Sequence, residues 1–378
     1  MERRLKLLLI NGGMILQPKI NTLTSPHNDI MFLQTTPGRI CIINNKEYLF
    51  CSGYGYLGMS HAEQFIQNVI EGVRKYGPLF PSSRNSNSQL ELFNDMESAL
   101  SKLTKQESAV IFSSGFLAGQ TIAGVLSLHK NIRIAPGAHP AIQIRHIEIP
   151  GISFNEWATL TVQTINDSEE DGWILITDSV DILHGVVNDF SFLQKFSLHK
   201  KITVLIDDSH GIGILGLNGE GIVATLPEQA NIEYIISYSL SKAFNIPGGA
   251  VSASESWCKL LRSHANYTAS SSLSPAMAFA FLESSAIYAS QKKILCNNII
   301  QLHREMHGND EHKALPIFPC GRDDMQQTYL DQGIVVSSFH YPYPESPLVS
   351  RIVINALHTS GDIAKIARTY KGISVGHM

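Results

Sequence analysis

No C-x-x-C pair occurs in this 378-residue chain, and its five cysteines, Cys41, Cys51, Cys258, Cys296 and Cys320, are odd in number and far apart. That spacing excludes a disulfide framework and a structural zinc site, and it fits reduced thiols. The 15 histidines include no H-E-x-x-H or comparable ligand spacing, so no metal is predicted. Excess charge of one sign is also missing. A net charge of -4, with Lys and Arg scattered rather than gathered in a stripe, argues against nucleic-acid binding. No apolar run approaches the roughly 20 residues of a membrane span. Met1-Glu2-Arg3-Arg4 begins with basic residues, but the apolar stretch after it is too short for a signal peptide and no small-residue cleavage site follows. A mature cytoplasmic start is therefore expected. Internal repeats and low-complexity segments are absent.

At 44% hydrophobic and 16% charged, the chain can bury a large core, and its length implies about two domains. Residues 1–50 read as an N-terminal arm closing with a strand pair, Arg39–Ile43 and Glu47–Cys51, joined at Asn44-Asn45, a plausible hairpin turn. Ser60-His61-Ala62-Glu63 resembles a capping box at the start of a helix running to Tyr76, with Gly77-Pro78 ending it. A second helix is expected from Gln89 to Thr104. Short apolar runs follow at Ala109–Phe112, Ile132–Ala135, Trp173–Thr177, Ile202–Ile206 and Ile232–Ser237, separated by helical patterns. Such runs imply crossover connections and a mostly parallel sheet covered on both faces, an α/β fold. From about Ser284 a long helix leads into a smaller α+β unit, with strands near Gly333–Phe339 and Arg351–Ala356 and a terminal helix near Asp362–Lys371. The predicted division is a large domain over 51–285 and a small one over 286–378, with the arm packing on the latter.

In open α/β sheets ligands gather at the carboxyl ends of the strands. That rule selects Ser113-Ser114-Gly115-Phe116, Asp178, Asp207-Asp208-Ser209-His210-Gly211 and Ser239-Leu240-Ser241-Lys242. A lysine at a strand end, desolvated and near a cationic group, can lose its proton and bond an aldehyde; most lysines are merely surface charges. Gly115 lets backbone N–H groups approach an anion at a helix N-terminus, which suits a phosphate, although such turns often only connect. Asp207 ends a buried strand, where a carboxylate can keep a pyridinium nitrogen protonated; a helix cap or a metal ligand is the plainer use. His210 could donate to a phenolate oxygen, and His139 could stack on a ring. Together these residues describe pyridoxal phosphate.

The constellation resembles the α-oxoamine synthase group of fold-type I pyridoxal phosphate enzymes. Matches run in family order through Tyr56-Leu57-Gly58-Met59-Ser60, Ser83-Arg84 ahead of Met96-Glu97, Ser114-Gly115-Phe116, His139, Asp207-Asp208-Ser209-His210-Gly211, Ser239-x-x-Lys242, Ser272-Leu273-Ser274-Pro275-Ala276 and Arg351. The resemblance implies that Lys242 holds the cofactor as a Schiff base, Asp207 pairs its ring nitrogen, His210 holds its phenolate oxygen and His139 stacks on it. Gly115, Phe116 and Ser239 would hold the phosphate, Asp178 would lie in the cofactor site, and Ser271 or Ser272 would reach in from the partner of a homodimer. Arg351, Tyr54 and Arg84 are the substrate candidates, since a guanidinium fork grips a carboxylate. The implied reaction is decarboxylative condensation of a small amino acid with an acyl thioester, on CoA or an acyl carrier protein, to an α-amino ketone. Compact length most resembles the 8-amino-7-oxononanoate synthases of biotin biosynthesis, which implies alanine and a pimeloyl thioester.

Departures cluster around the substrate. Tyr54-Gly55 stands where the family usually has Asn, Ile182 where a polar residue is common, Asp178 for Glu, Ile212 for a small hydroxyl residue, and Leu79-Phe80-Pro81 for a glycine-rich stretch. A fold-type I aminotransferase or lyase would use the same Lys242 and Asp207, and a non-catalytic cofactor-binding homologue would keep the fold. Ser239-x-x-Lys242 also matches the S-x-x-K of serine acyl-enzymes, but no S-D-N or K-T-G element accompanies it.

Overall fold

In the computed structural model, residues 30–308, 314–320, 325–341 and 344–375 are described. The first 29 residues of the predicted arm lie outside them. Thirteen strands follow one another among the described residues: β1 (Ile40–Ile43), β2 (Lys46–Cys51), β3 (Ser108–Phe112), β4 (Ile132–Ile134), β5 (Gly172–Asp178), β6 (Val180–Asp181), β7 (Val186–Val187), β8 (Lys201–Asp207), β9 (Ile232–Ser239), β10 (Gly249–Ala253), β11 (Ile317–Pro319), β12 (Ile334–His340) and β13 (Leu348–Val353). Six of them form one sheet in the order β3-β10-β9-β8-β5-β4. Strands β4, β5, β8 and β9 run parallel, and β10 runs antiparallel to both neighbours.

Both faces of that sheet are buried, which is why its strands are apolar throughout rather than alternating. Leu175, Val204, Ile206 and Ile236 join one core, while Ile174, Ile176, Leu205 and Ile235 join the other. The parallel strands end level. Asp178 lies opposite Asp207, and Asp207 opposite Ser237, so successive strand ends deliver their polar residues to one edge.

Three helices connect the early part of the chain: α1 (Glu63–Tyr76), α2 (Glu91–Leu103) and α3 (Gly115–Leu126). The expected capping box does not form. Met59–His61 makes a 3-10 turn, and Ala62 stands at the N-cap of α1 with no side-chain bond to the helix. The chain needs that turn because Gly58, at φ 64, folds it back under Leu357, where a Cβ would overlap the leucine side chain.

A second sheet has the order β1-β2-β12-β13-β11. Its hairpin turns through Asn44 and Asn45 at φ 51 and 62, the left-handed pair of a type I′ turn. Strand β2 then pairs in parallel with β12, Leu49 opposite Ile334. The strand β10 was not predicted, because Gly249-Ala250-Val251-Ser252-Ala253 lacks the bulk of a strand signal. A side chain at Gly249 would overlap the backbone of Gly115, so close approach to α3 is what keeps β10 small.

Candidate active site

A cavity of about 580 Å³ opens at the carboxyl ends of β5 and β8, with His139, Asp178, Asp207, His210, Ile182 and Lys242 among its lining residues. Of the stretches that the strand-end rule selects, Asp178, Asp207 with His210, and Lys242 meet here, joined by His139, whereas residues 113–116 are not in the lining. Lys242 lies three residues beyond β9. Burial pulls its ammonium below the usual lysine range, while the charges of Asp207 and Asp178 pull it back up. Asp178 is pushed well above the carboxylate range by burial and by the neighbouring Asp207.

His139 is held at two points. Its backbone N–H donates to Asp178 Oδ2 at 2.8 Å, and its Nδ1 accepts from the Ala141 N–H at 3.1 Å. The ring proton therefore sits on Nε2. Burial lowers the His139 pKa, which favours the neutral ring.

His210 is fixed by a residue that sequence reading did not place in the site. Tyr56 is completely buried, and its hydroxyl lies 2.8 Å from His210 Nδ1. Burial raises the Tyr56 phenol well above its ordinary range, so it keeps its proton. Burial and the Lys242 charge push His210 well below its ordinary range. A neutral imidazole facing a protonated phenol accepts at Nδ1, leaving Nε2–H as the donor. Tyr54 packs edge-on to the His210 ring, centroids 5.2 Å apart.

The N-terminus of α3 packs on the end of β9 and, like Ser239, lies outside the residues that line the cavity. Ser114 caps it, its Oγ accepting from the Leu117 N–H at 3.1 Å, while the first N–H groups of a helix have no intrahelical acceptor. A Cβ on Gly115 would lie 2.6 Å from the Ser239 Cβ, so only glycine lets this turn touch the end of β9. Phe116, the next residue, is 56% exposed. Ser239 is in turn tied down: its N–H donates to Ser209 Oγ at 2.9 Å, and its Oγ lies 2.8 Å from Ser241 Oγ.

Asp208 explains the glycines of its segment. It is fully buried, its Oδ2 accepts the Ile222 N–H at 2.8 Å, and burial pushes its pKa up to about 7. A Cβ on Gly211 or Gly221 would overlap its oxygens. Asp208 thus supports the loop from beneath while Asp207 and His210 face the cavity.

Other candidates do not line the cavity. Arg84 gives its guanidinium to Glu97 at 3.1 Å, with Tyr267 and Gln89 as further partners. Glu97 also holds Arg262 and the Ile111 N–H, so Arg84 belongs to a buried cluster bracing β3. Ser271 is exposed and bridges to Ser83, and Ser272 is buried. Arg351 is buried behind Tyr341 and Ile182, bonded to the Ile182 carbonyl and the Tyr54 hydroxyl.

The chain is similar along most of its length to known enzymes. It is 25% identical over 353 residues to an 8-amino-7-oxononanoate synthase of Thermosipho melanesiensis, covering 88% of this chain and 90% of that one. A serine palmitoyltransferase of Bacteroides thetaiotaomicron is 23% identical over 357 residues, with the same coverage of 88% and 90%. A solved structure of SPT with PLP as its internal aldimine superposes with a TM-score of 0.77 at 22% identity, covering 92% of this chain and 94% of that one. The fold is that of the type I pyridoxal phosphate transferases. The model of aminotransferase class I and II matches residues 56–369, and the chain belongs to that family.

Proposed function

We propose that this chain is a pyridoxal phosphate-dependent acyltransferase that condenses a small amino acid with an acyl thioester and releases carbon dioxide, leaving an α-amino ketone. The names of its relatives, an 8-amino-7-oxononanoate synthase and a serine palmitoyltransferase, support that reading. The observation that carries it is the half-buried Lys242 sharing one cavity with Asp207 and His139. The cofactor fits what surrounds that amine. Close contact between Gly115 and Ser239 sets the N-terminus of α3 beside the strand end that leads to Lys242, and helix N–H groups are the kind of donor an anion takes.

When bound, pyridoxal phosphate supplies an electron sink conjugated to the amino-acid nitrogen. Asp207 would pair the ring nitrogen, and His139 would cover the ring face. His210 would donate from Nε2 to the ring oxygen, and the N–H groups of Gly115 and Phe116 with Ser239 would hold the phosphate. Lys242, freed by the incoming amino acid, would take the proton from the substrate Cα, which a lowered pKa favours at neutral pH. The reading includes a homodimer in the cytoplasm, with Ser271 or Ser272 serving the partner's site. Ser272 Oγ supports this, being buried with no hydrogen-bond partner among the described residues.

The test is the absorbance spectrum with added pyridoxal phosphate, titrated with alanine, glycine and serine, with Lys242→Ala as control. A Lys242-dependent band that changes with one amino acid, followed by thiol release from an acyl-CoA, supports the reading. A keto acid in place of the amino ketone would make the chain an aminotransferase. A band unmoved by every amino acid would leave a cofactor-binding homologue.

A further inference from the structure

Helix α2 and the helices Pro275–Leu282 and Ser285–His307 meet around a second cavity of about 620 Å³. It shares no lining residue with the cavity at Lys242. Its inner end is aromatic. Phe244, Phe281 and Tyr288 are buried and pack with ring centroids 5.1 to 5.7 Å apart. The polar atom of that group, the Tyr288 hydroxyl, already donates to the Phe244 carbonyl at 3.0 Å. Leu103 and Leu282 add aliphatic wall, and Leu217 stands at the rim, 88% exposed. An apolar hollow of this size suits a small molecule better than it suits water.

The helix Ser285–His307 brings the charge. Tyr288, Lys292 and Cys296 are spaced by four and share one face, so the lysine stem continues the wall that the tyrosine begins, with its ammonium at the rim. Lys292 Nζ donates to the Leu217 carbonyl at 3.3 Å, and Lys293 beside it is exposed. Neither lysine forms an ion pair among the described residues, and no Asp or Glu lines the cavity. The cavity therefore has an oily depth and a rim of one sign. We infer that it binds a single-chain anionic amphiphile, with the alkyl chain along Phe244 and Phe281 and the acid group on Lys292 and Lys293.

Charge selects this class over its neighbours. An uncharged hydrocarbon gains nothing from the two ammonium groups, and a cationic amphiphile meets like charge at the rim. A carboxylate or phosphate makes an ion pair there, a modest one because the rim is wet. The chain supplies most of the affinity, about fourfold for each methylene buried. The site stands whether or not the cavity at Lys242 carries out the proposed condensation. It is still joined to that cavity through the backbone: Phe244 follows Lys242 by two residues, so a bound chain rests against the segment that carries the amine.

Cys296 lines the cavity and is the partly exposed thiol of the five, the other four being buried, so its alkylation rate reports occupancy. The experiment follows N-ethylmaleimide labelling of the full chain, with Cys296→Ser identifying the signal, in decanoate and in decyl phosphate below their micellar concentrations. At least one of them is expected to slow labelling saturably and to raise the melting temperature, as a ligand of the folded state does; the tighter of the two names the acid group. With that acid group, half-saturation is expected to fall about fourfold per methylene from eight carbons to twelve. Lys292→Gln combined with Lys293→Gln should raise it about fivefold, and decyltrimethylammonium should not protect. Labelling unchanged by both anions, equal protection by the cation, or a lysine variant that binds as tightly as before overturns the inference. A Cys296 unreactive before any addition would mean that protein already covers the cavity, and overturns it as well.

Discussion

Tyr56 decides which nitrogen of His210 faces the cavity, and it does so with one hydroxyl at 2.8 Å. Tyr56→Phe keeps the ring that packs the core and deletes that donor, so His210 should populate both neutral tautomers. The expected outcome is about a fivefold weaker affinity for pyridoxal phosphate, one hydrogen bond's worth, with the tautomer mixture read from the His210 ¹⁵N shifts. A purely packing role would leave those shifts alone. Gly115→Ala acts through space. With its Cβ 2.6 Å from the Ser239 Cβ, the helix must back away from β9, at a cost of about 1–3 kcal/mol of overpacking. Thermal unfolding should register the destabilisation, and the cofactor titration should show a looser phosphate seat.

Strand ends carry the site, and strands of this kind are legible in a sequence. The runs leading to Asp178, Asp207 and Lys242 fall where they were expected because strands buried on both faces must be apolar at every position. What escaped was whatever the sheet's neighbours dictate: β10 is small because α3 presses on Gly249, and Tyr56 joins His210 across 154 residues. The pairing of Arg84 was hidden for a related reason, since nothing local reveals that Glu97 is buried beneath it. The turn after β13 makes its own prediction. His358 accepts the Asn355 N–H at Nδ1, 3.0 Å away, and its Nε2 donates to the Phe50 carbonyl of β2 at 3.1 Å. Burial lowers its pKa from 6.5 to about 4. The unfolded chain therefore binds the proton more readily, so the stability due to neutral His358 is complete above pH 6.5 and is lost as pH falls toward 4. Melting temperature should drop over that window, and His358→Asn should flatten the drop.

For the whole molecule, the proposed homodimer sets two expectations. Sedimentation should give twice 41.7 kDa. A mixture of Lys242→Ala and Ser272→Glu chains, each inactive alone, should recover about a quarter of wild-type activity, because half the dimers are mixed and each of those holds one intact site. If each site is served by its own chain, the mixture stays inactive. The parallel pairing of β2 with β12 has a consequence in time. Leu49 meets Ile334, and at synthesis rates of about 5–20 residues per second the second strand emerges roughly 15–60 seconds after the first. Throughout that interval β2 has a bare edge, open to any passing extended chain. Ribosome-bound chains halted before Ile334 should be cleaved by protease near β2, and chains released whole should resist. The hairpin is thus made early and finished late, and its Lys46 and Glu47, exposed at the start of β2, are charges suited to keeping that waiting edge from the wrong partner.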